Sequence, residues 1–232
     1  MQLSGRIALI TGASQGIGQA VAVRFAKEGA HVILVARTIK GLEATDDMIR
    51  AESGTATLVP LDLTEPKTIE ALSVSVAERF GRLDVLVGNA GDGGVFSPVP
   101  HIEPPDWDKV MAVNVTANYH LIRCLHPLLM ASEAGRAMFV TSRLARDLHP
   151  YWGGYAASKA ALEALVLTYA GENVKTPLKI NLINPGKVAT RMYKQAFPGA
   201  DTSAIPKPED ITDVFVKLAN ADLQGTGKVF EA

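Results

Sequence analysis

Short apolar runs rich in β-branched residues alternate strictly with helical patterns along this 232-residue chain. The apolar runs predict strands at 6–11, 31–36, 56–61, 84–89, 137–142, 179–184 and, in "KVFE", at 228–231. The helical patterns fall near 16–28, 40–52, 66–80, 106–131, 153–174 and 208–221. Because the strands are apolar at nearly every position, both faces of their sheet should be covered. The alternation therefore predicts a single-domain α/β fold over 1–232, a doubly wound parallel sheet of about seven strands with helices on both faces.

Composition narrows the class of protein. The net charge is −1, with 23 basic and 24 acidic residues dispersed along the chain, so nothing suggests a nucleic-acid or anionic-membrane partner. The single cysteine, Cys124, leaves no internal disulfide and no cysteine-built metal site. The start "MQLSGRIALITG" lacks the long apolar segment of a signal peptide, and no stretch approaches the roughly 18 apolar residues of a membrane span. We therefore expect a cytoplasmic protein with no metal, no nucleic acid and no membrane partner.

The first strand runs directly into a glycine-rich turn, "TGASQGIG" at 11–18, in which the first helix begins. Gly12, Gly16 and Gly18 allow the backbone to turn tightly and to approach a ligand closely. The helix N-terminus then offers free N–H groups to a pyrophosphate. A simple strand-to-helix turn is the alternative, and the spacing Gly-x-x-x-Gly-x-Gly differs from the more familiar dinucleotide fingerprint. The strand–turn–helix context nevertheless favours a dinucleotide-binding Rossmann fold.

The residue at the end of the second strand bears on the choice of cofactor. In dinucleotide-binding folds an acidic residue about 20 positions after the glycine-rich turn binds the ribose 2′-hydroxyl, whereas an arginine accommodates a 2′-phosphate. Here the strand ends in Ala36-Arg37-Thr38. Arg37 favours NADP over NAD, with NAD still possible. An ordinary exposed arginine at a strand end is the alternative interpretation.

A tyrosine and a lysine stand one helical turn apart in "YAASK", at 155–159. Residues four apart share a helix face, so Tyr155 and Lys159 should be neighbours. A nearby cation favours the phenolate, which would make the tyrosine usable as an acid and base near neutral pH. An ordinary helix with an amphipathic tyrosine and an extended lysine is the alternative.

Seven segments together resemble the short-chain dehydrogenase/reductase family over nearly the whole chain. They are "TGASQGIG" (11–18), "LDLT" (61–64), "GNAG" (88–91), "VNV" (113–115), Ser142, "YAASK" (155–159) and "INPGKVAT" (183–190). Each stands at the C-terminal end of a predicted strand or on the expected helix, in the order that the family has. The C-terminal part looks most like a small bacterial subgroup of uncharacterised members.

The resemblance implies four catalytic residues. Tyr155 matches the family's acid/base, and Lys159 matches the lysine that lowers the phenol pKa and holds the nicotinamide ribose. Ser142 matches the serine that orients the substrate oxygen. Asn114 matches the asparagine whose helix distortion holds a water between the lysine and solvent.

The resemblance also implies a set of cofactor-binding residues. They are Gly12, Ser14, Gln15, Gly16, Ile17, Gly18, Arg37, Thr38, Asp62, Leu63, Asn89, Ala90, Gly91, Tyr155, Lys159, Pro185, Gly186, Val188 and Thr190. Gln15 replaces a basic residue found in many NADP-using relatives, which weakens the case from Arg37. Gly88 replaces a common asparagine, as a structural variation. Arg143 and Arg146 replace small residues and either face an anionic substrate group or are solvated.

The function expected is reversible hydride transfer between a nicotinamide cofactor and a small-molecule carbonyl or secondary alcohol. The alternative is a catalytically silent NADP-binding regulatory or redox-sensing protein on the same fold. Candidates for lining the substrate pocket are Asp92, His149, Trp152, Met192 and Tyr193. The unpatterned segment 190–207 should be a substrate lid with a short helix near 190–197.

Assembly is the last expectation from the sequence. The predicted helices 106–131 and 153–174 carry more apolar residues than one sheet-facing stripe needs. The leucines concerned are Leu121, Leu125, Leu128, Leu129, Leu162, Leu165 and Leu167. Because the family pairs these two helices across a two-fold axis, the resemblance implies a homodimer, with a tetramer less certain.

Overall fold

The computed structural model describes residues 1–232 and contains one sheet of seven parallel strands, in the order β3-β2-β1-β4-β5-β6-β7. The strands are β1 Ile7–Thr11, β2 His31–Ala36, β3 Thr55–Pro60, β4 Val85–Gly88, β5 Arg136–Val140, β6 Lys179–Asn184 and β7 Val229–Glu231. The helices are α1 Gly16–Lys27, α2 Ile39–Ala51, α3 Pro66–Phe80, α4 Pro104–Met111, α5 Ala117–Met130, α6 Gly153–Glu172, α7 Arg191–Ala196 and α8 Thr212–Ala219. The predicted doubly wound α/β architecture is confirmed.

Both faces of the sheet are buried in a hydrophobic core. Successive side chains of β1 point to opposite faces. Ile10 packs in the core that includes Phe25 of α1 and Phe215 of α8. Leu9 packs in the core that includes residues of α3, α5 and α6, such as Leu125. This two-sided burial explains why the strands are apolar at nearly every position.

The long helix predicted at 106–131 is interrupted. It begins earlier, at Pro104, and α4 and α5 are joined by a π-helical turn, Ala112–Thr116. The side chain of Asn114, in that turn, is fully buried and bonded to groups outside its own helix. A π turn accommodates one residue more than an α turn, and such turns are frequent at functional sites. The helix predicted at 208–221 likewise divides into a 3₁₀ turn, Pro208–Ile211, and α8.

The strand order places the functional edge of the sheet. Strand β1 lies between β2 and β4, so the chain winds away from β1 in both directions. Ligands of open α/β sheets bind at the carboxyl ends of the strands, beside such a switch in winding direction. The last residue of β4 is Gly88. The position requires glycine because a Cβ atom there would lie 2.4 Å from Phe139 Cδ1 and 2.6 Å from Asn118 Oδ1. None of the helices combines the length and the apolar character that crossing a lipid bilayer requires.

Candidate active site

A cleft of about 1250 Å³ opens at the carboxyl edge of the sheet. Nearly all residues predicted to bind cofactor or substrate line it. They are Gly12, Ser14, Gln15, Gly16, Ile17, Arg37, Thr38, Asp62, Leu63, Asn89, Ala90, Gly91, Ser142, Tyr155, Lys159, Pro185, Gly186, Val188 and Thr190. The substrate-pocket candidates Asp92, His149, Trp152, Met192 and Tyr193 line the same cleft.

Two predicted site residues, Gly18 and Asn114, are not part of the cleft lining. A Cβ atom on Gly18 would lie 2.4 Å from the carbonyl oxygen of Gly12 and 2.5 Å from Asn89 Nδ2. Gly18 therefore allows α1 to pack closely against the turn rather than presenting a surface to a ligand. Asn114 is buried behind the cleft wall.

The glycine-rich turn leaves the N-terminus of α1 open. Gly12 and Gly16 have φ angles of +67° and +58°, in the region that favours glycine. Gln15 precedes the helix without a capping hydrogen bond from its side chain, and no acidic residue stands in the first turn. The free N–H groups and the positive end of the helix dipole therefore face the cleft without a competing anion, which suits a phosphate.

Arg37 follows β2 at the adenosine end of the cleft. Its side chain is exposed and forms no ion pair within the chain. Asp62 lies at the same edge, and its pKa is lowered because its carboxylate accepts hydrogen bonds from the backbone N–H and hydroxyl of Thr64. A guanidinium without an internal partner is free to bind an anion.

Tyr155 and Lys159 lie on one face of α6, and Lys159 Nζ is 5.7 Å from the centroid of the Tyr155 ring. The ammonium group of Lys159 is buried and donates a hydrogen bond to the carbonyl oxygen of Val140 at 2.8 Å. Burial lowers the pKa of Lys159 to about 8. Burial also raises the pKa of Tyr155, and the nearby Ser142 hydroxyl only partly opposes this. In the chain without cofactor, desolvation of the phenolate sets the direction, and the lowering of this pKa by Lys159 together with the oxidised nicotinamide stays a prediction.

The predicted helix distortion at Asn114 is present. Its amide nitrogen donates to Ser158 Oγ and to the carbonyl oxygen of Asp92, both at 2.9 Å, and its amide oxygen accepts from the Asp92 N–H at 2.8 Å. Its backbone carbonyl accepts a hydrogen bond from Asn118 Nδ2 at 2.9 Å. The π turn thus ties the start of α6 to the loop after β4. The water between Lys159 and solvent stays a prediction.

Sequence reasoning assigned no role to two polar residues at strand ends. The hydroxyl oxygen of Thr11 accepts hydrogen bonds from the N–H groups of Asn89 and Ala90, each at 3.0 Å, and so joins the ends of β1 and β4. Asn184 Oδ1 accepts from the N–H groups of Arg143 and Gly186, both at 3.2 Å. In both cases the sequence signal is a polar residue at the end of an otherwise apolar strand.

The two arginines after Ser142 have different surroundings. Arg143 lines the cleft and pairs with Asp147 at 2.8 Å, and both side chains are exposed. Arg146 Nε donates at 2.9 Å to Oε2 of the buried Glu163. Arg146 does not line the cleft, and its side chain is 60% exposed, as the solvated interpretation predicts, but it also pairs with Glu163.

A short helix occupies the place predicted for the lid. Helix α7 spans Arg191–Ala196, and Thr190 caps it by accepting a hydrogen bond from the Tyr193 N–H at 3.2 Å. Phe197 follows the helix and packs on Trp152, with ring centroids 5.9 Å apart. The segment therefore lines the cleft and contacts the residue that precedes α6.

Comparisons with known proteins agree with this geometry. The family model described as short chain dehydrogenase matches residues 6–201. The oxidoreductase YciK of Escherichia coli K12 is 36% identical over 99% of this chain and 92% of its own length. A short chain dehydrogenase from Escherichia coli CFT073, crystallised with NADPH, has a TM-score of 0.94 at 36% identity, over 99% of this chain and 97% of that one. One from Pseudomonas syringae has a TM-score of 0.96 at 37% identity, over 99% and 95%. The chain therefore belongs to the short-chain dehydrogenase/reductase family of oxidoreductases, as its motifs predict.

Proposed function

We propose that the protein is an NADP-preferring oxidoreductase that interconverts a carbonyl group and a secondary alcohol, with Tyr155 as the general acid and base. The observation that carries the proposal is the position of Tyr155, Lys159 and Ser142 along the same cleft as the open α1 N-terminus and the unpaired Arg37. One end of the cleft suits a phosphorylated dinucleotide, and the other suits proton transfer.

The residues present fit a dinucleotide. The cleft is larger than the about 300–1,000 Å³ typical of a pocket for one drug-sized molecule, so a cofactor and a small substrate can share it. The α1 N-terminus would hold the pyrophosphate, and Arg37 the 2′-phosphate. The segment from Pro185 to Thr190 would hold the nicotinamide end. The NADPH found in the related E. coli structure supports this choice of cofactor.

The bound cofactor supplies or accepts the hydride. Hydride addition to a carbonyl carbon leaves an alkoxide, which needs a proton at about the same time. Because burial raises the pKa of Tyr155, the phenol keeps its proton until one is required. The Ser142 hydroxyl lies near Tyr155 along the cleft and can donate to the developing oxyanion. Lys159, with a pKa of about 8, is mostly charged at neutral pH and stabilises the phenolate that forms.

A homodimer is part of the proposal, although the leucine argument from the sequence does not support it. Leu121, Leu125, Leu129 and Leu162 are fully buried within the chain's own core. Leu128 is also buried, and Leu165 and Leu167 are half-buried and packed against the same core. The surface left on α5 and α6 carries instead a shallow depression lined by Tyr119, Ile122, Arg123, His126, Tyr169, Glu172 and Asn173. Two copies of this mixed polar and aromatic surface could meet across a two-fold axis.

A panel of ketones and secondary alcohols, assayed with NADPH, NADP, NADH and NAD, tests the reaction class. We expect turnover with the phosphorylated cofactors. Tyr155→Phe should lower kcat at least about a hundredfold while leaving NADPH affinity within about twofold, because it removes only the proton donor. Tight NADPH binding with no turnover of any compound, or full activity in Tyr155→Phe, would contradict the proposal. The first of these outcomes would favour a silent cofactor-binding protein.

A further inference from the structure

Aromatic rings from three separate segments meet beside Tyr155. We call Phe96, Trp152, Tyr193 and Phe197 the aromatic wall. The ring centroid of Trp152 is 4.4 Å from that of Phe96, 5.9 Å from that of Phe197 and 5.7 Å from that of Tyr155, the last in an edge-to-face arrangement. Tyr193 and Phe197, from the lid, lie 4.9 Å apart. The loop after β4, the start of α6 and the lid thus each contribute to one apolar surface.

The aromatic wall is only partly covered by the protein itself. Trp152, which is half-buried, and Phe197, which is 43% exposed, line the cleft together with Tyr193, whereas Phe96 supports Trp152 from outside the cleft lining. Met192 and Leu144 extend the apolar lining on either side. Contiguous exposed apolar surface within a cleft marks a binding site, because a ligand that covers it removes it from water.

Two charged side chains of the cleft lining already have partners. Arg143 pairs with Asp147 at 2.8 Å, and Asp92 accepts from Lys109 at 3.0 Å and from the Gly94 N–H at 2.9 Å. A site for a sugar or polyol needs several polar groups that converge on the hydroxyl groups of the ligand. These polar groups are left without hydrogen-bond partners when a ligand that lacks the hydroxyls binds. The other lysines and arginines of the lining lie elsewhere along the cleft: Arg37 at the adenosine end, Lys159 beside Tyr155, Lys187 in the segment proposed for the nicotinamide end, and Arg191 at the start of α7.

We propose that the substrate is a neutral carbonyl compound with a flat hydrophobic ring system, such as a fused aromatic or alicyclic ketone. Its carbonyl oxygen would reach Ser142 and Tyr155 while its ring packs against Trp152. Aromatic groups favour edge-to-face and offset contacts of the kind that Trp152 already makes. The assignment of the carbonyl end rests on the proposed function, whereas the ring pocket rests on the aromatic wall alone.

Binding to the NADP-loaded protein, measured by calorimetry, tests the ring pocket. The probes are 1-tetralone, dihydroxyacetone and acetoacetate. We expect 1-tetralone to bind at least about tenfold more tightly than the other two. Trp152→Ala should weaken 1-tetralone binding about tenfold or more, and Trp152→Phe should retain most of it. The only other tryptophan, Trp107, lies outside the cleft lining, so Trp107→Ala is the matched control and should bind 1-tetralone normally.

The outcomes separate the substrate class from the reaction. Tighter binding of dihydroxyacetone or acetoacetate, or 1-tetralone binding that is unaffected in Trp152→Ala, would overturn the ring pocket. Oxidation of NADPH is then followed with the same three probes. If 1-tetralone binds in a Trp152-dependent manner but no probe is reduced, the ring pocket stands and the proposed reaction fails.

A second inference comes from the buried carboxylate of Glu163, one turn beyond Lys159 on α6. Its Oε1 accepts a hydrogen bond from Thr141 Oγ1 at 2.8 Å, and its Oε2 accepts from Arg146 Nε at 2.9 Å. Thr141 and Arg146 stand on either side of Ser142 in the chain. The Glu163 carboxylate therefore hydrogen-bonds to both ends of the segment 141–146. These bonds connect the segment to α6, the helix that carries Tyr155 and Lys159.

We infer that Glu163 is a positioning residue for Ser142, an inference that rests on the proposed role of Ser142. Ser142 lies in the chain between Thr141 and Arg146, the two residues bonded to Glu163. Its hydroxyl oxygen accepts a hydrogen bond from the Leu144 N–H at 3.2 Å. Small displacements of a group that aligns the reacting oxygen reduce catalysis strongly. Glu163→Gln keeps a side-chain oxygen that can accept from Thr141 Oγ1. Its N–H₂ group cannot accept from Arg146 Nε, so only the hydrogen bond with Arg146 is lost.

Steady-state kinetics of single and double variants test this role. Glu163→Gln and Arg146→Ala should each lower kcat about tenfold with KM and NADPH affinity within about twofold, and Arg146→Lys should recover most of the loss. Lys27→Ala, which breaks only the exposed pair with Glu52 outside the cleft lining, is the control. In a Ser142→Ala background, Glu163→Gln should cause no further loss, because coupled residues are not additive.

Two results would overturn the positioning role. The first is a Glu163→Gln loss of the same size with and without Ser142, which would show a general structural effect. The second is a Glu163→Gln variant with unchanged kcat. A Ser142→Ala variant with full activity would instead contradict the proposed function itself, and the positioning role with it.

Discussion

Replacing Lys159 with methionine should stabilise the fold at neutral pH. Lys159 is 3% exposed, and burial lowers its pKa from 10.5 to about 8. Below about pH 8 the lysine is protonated in both the folded and the unfolded chain, so folding must desolvate a charge. At about 1.36 kcal/mol for each pH unit between the two pKa values, this desolvation costs about 3 kcal/mol at neutral pH. Methionine fills a similar volume without the charge.

The sign of the pH dependence follows from the same two pKa values. Between about pH 8 and pH 10.5 the unfolded chain holds the lysine proton and the folded chain does not, so the free energy of unfolding rises with pH. From about pH 7 to pH 9.5 the wild type should gain about 2 kcal/mol relative to Lys159→Met. Groups such as Cys124, whose pKa burial raises, titrate in both proteins and cancel in the comparison.

Urea unfolding followed by far-ultraviolet circular dichroism, at a series of pH values and one protein concentration, measures the difference directly. Two stability curves that run parallel from pH 7 to pH 9.5 would refute the reasoning, because the lysine would then titrate alike in both states. A methionine variant less stable than the wild type at pH 7 would refute it too. If the expected result is obtained, Lys159 lowers the stability of the fold, and its position in the cleft is explained by catalysis.

Four further outcomes follow from the structure. Arg37→Asp should weaken NADPH binding by about 1.5–3 kcal/mol without weakening NADH, as fluorescence titration would show; equal losses for both cofactors would contradict a 2′-phosphate contact. Gly88→Ala should lower the free energy of unfolding by about 1–3 kcal/mol, since its Cβ would overlap Phe139, and an unchanged Tm would contradict this. Hydrogen exchange across 190–207 should slow when NADPH binds, whereas high and unchanged protection would make the segment part of the scaffold. Light scattering should give the mass of a dimer at micromolar concentration, and a monomer would refute the proposed two-fold contact.

The sheet was predictable from sequence because strands covered on both faces have a distinct composition. β6, Lys179–Asn184, was predicted with its observed bounds, and every residue after the first is buried. The start of α3 was equally clear because Pro66 suits the first turn of a helix and no later one. Sequence patterns predict the bounds of a strand or helix well where one residue or a short run of residues determines the backbone conformation.

Contacts between distant residues were not predictable in the same way. Glu163 looks like an ordinary helix glutamate, and its partners Arg146 and Thr141 lie 17 and 22 positions earlier in the chain. The raised pKa of Tyr155 in the chain without cofactor was not predictable for a related reason. The neighbouring lysine is visible in the sequence, whereas the burial that raises this pKa depends on the packing of the whole cleft.

The π turn at Ala112–Thr116 has a consequence for insertions and deletions. An α-helix rotates by about 100° per residue, so losing one residue within α4 or α5 would turn Ala117, Leu121 and Leu125 away from the core. The π turn already contains one residue more than an α turn needs. We therefore expect a one-residue deletion there to give a regular helix that keeps α5 facing the core, at the cost of the hydrogen bonds of Asn114. The place where this helix should best tolerate shortening thus holds a residue of the proposed active site.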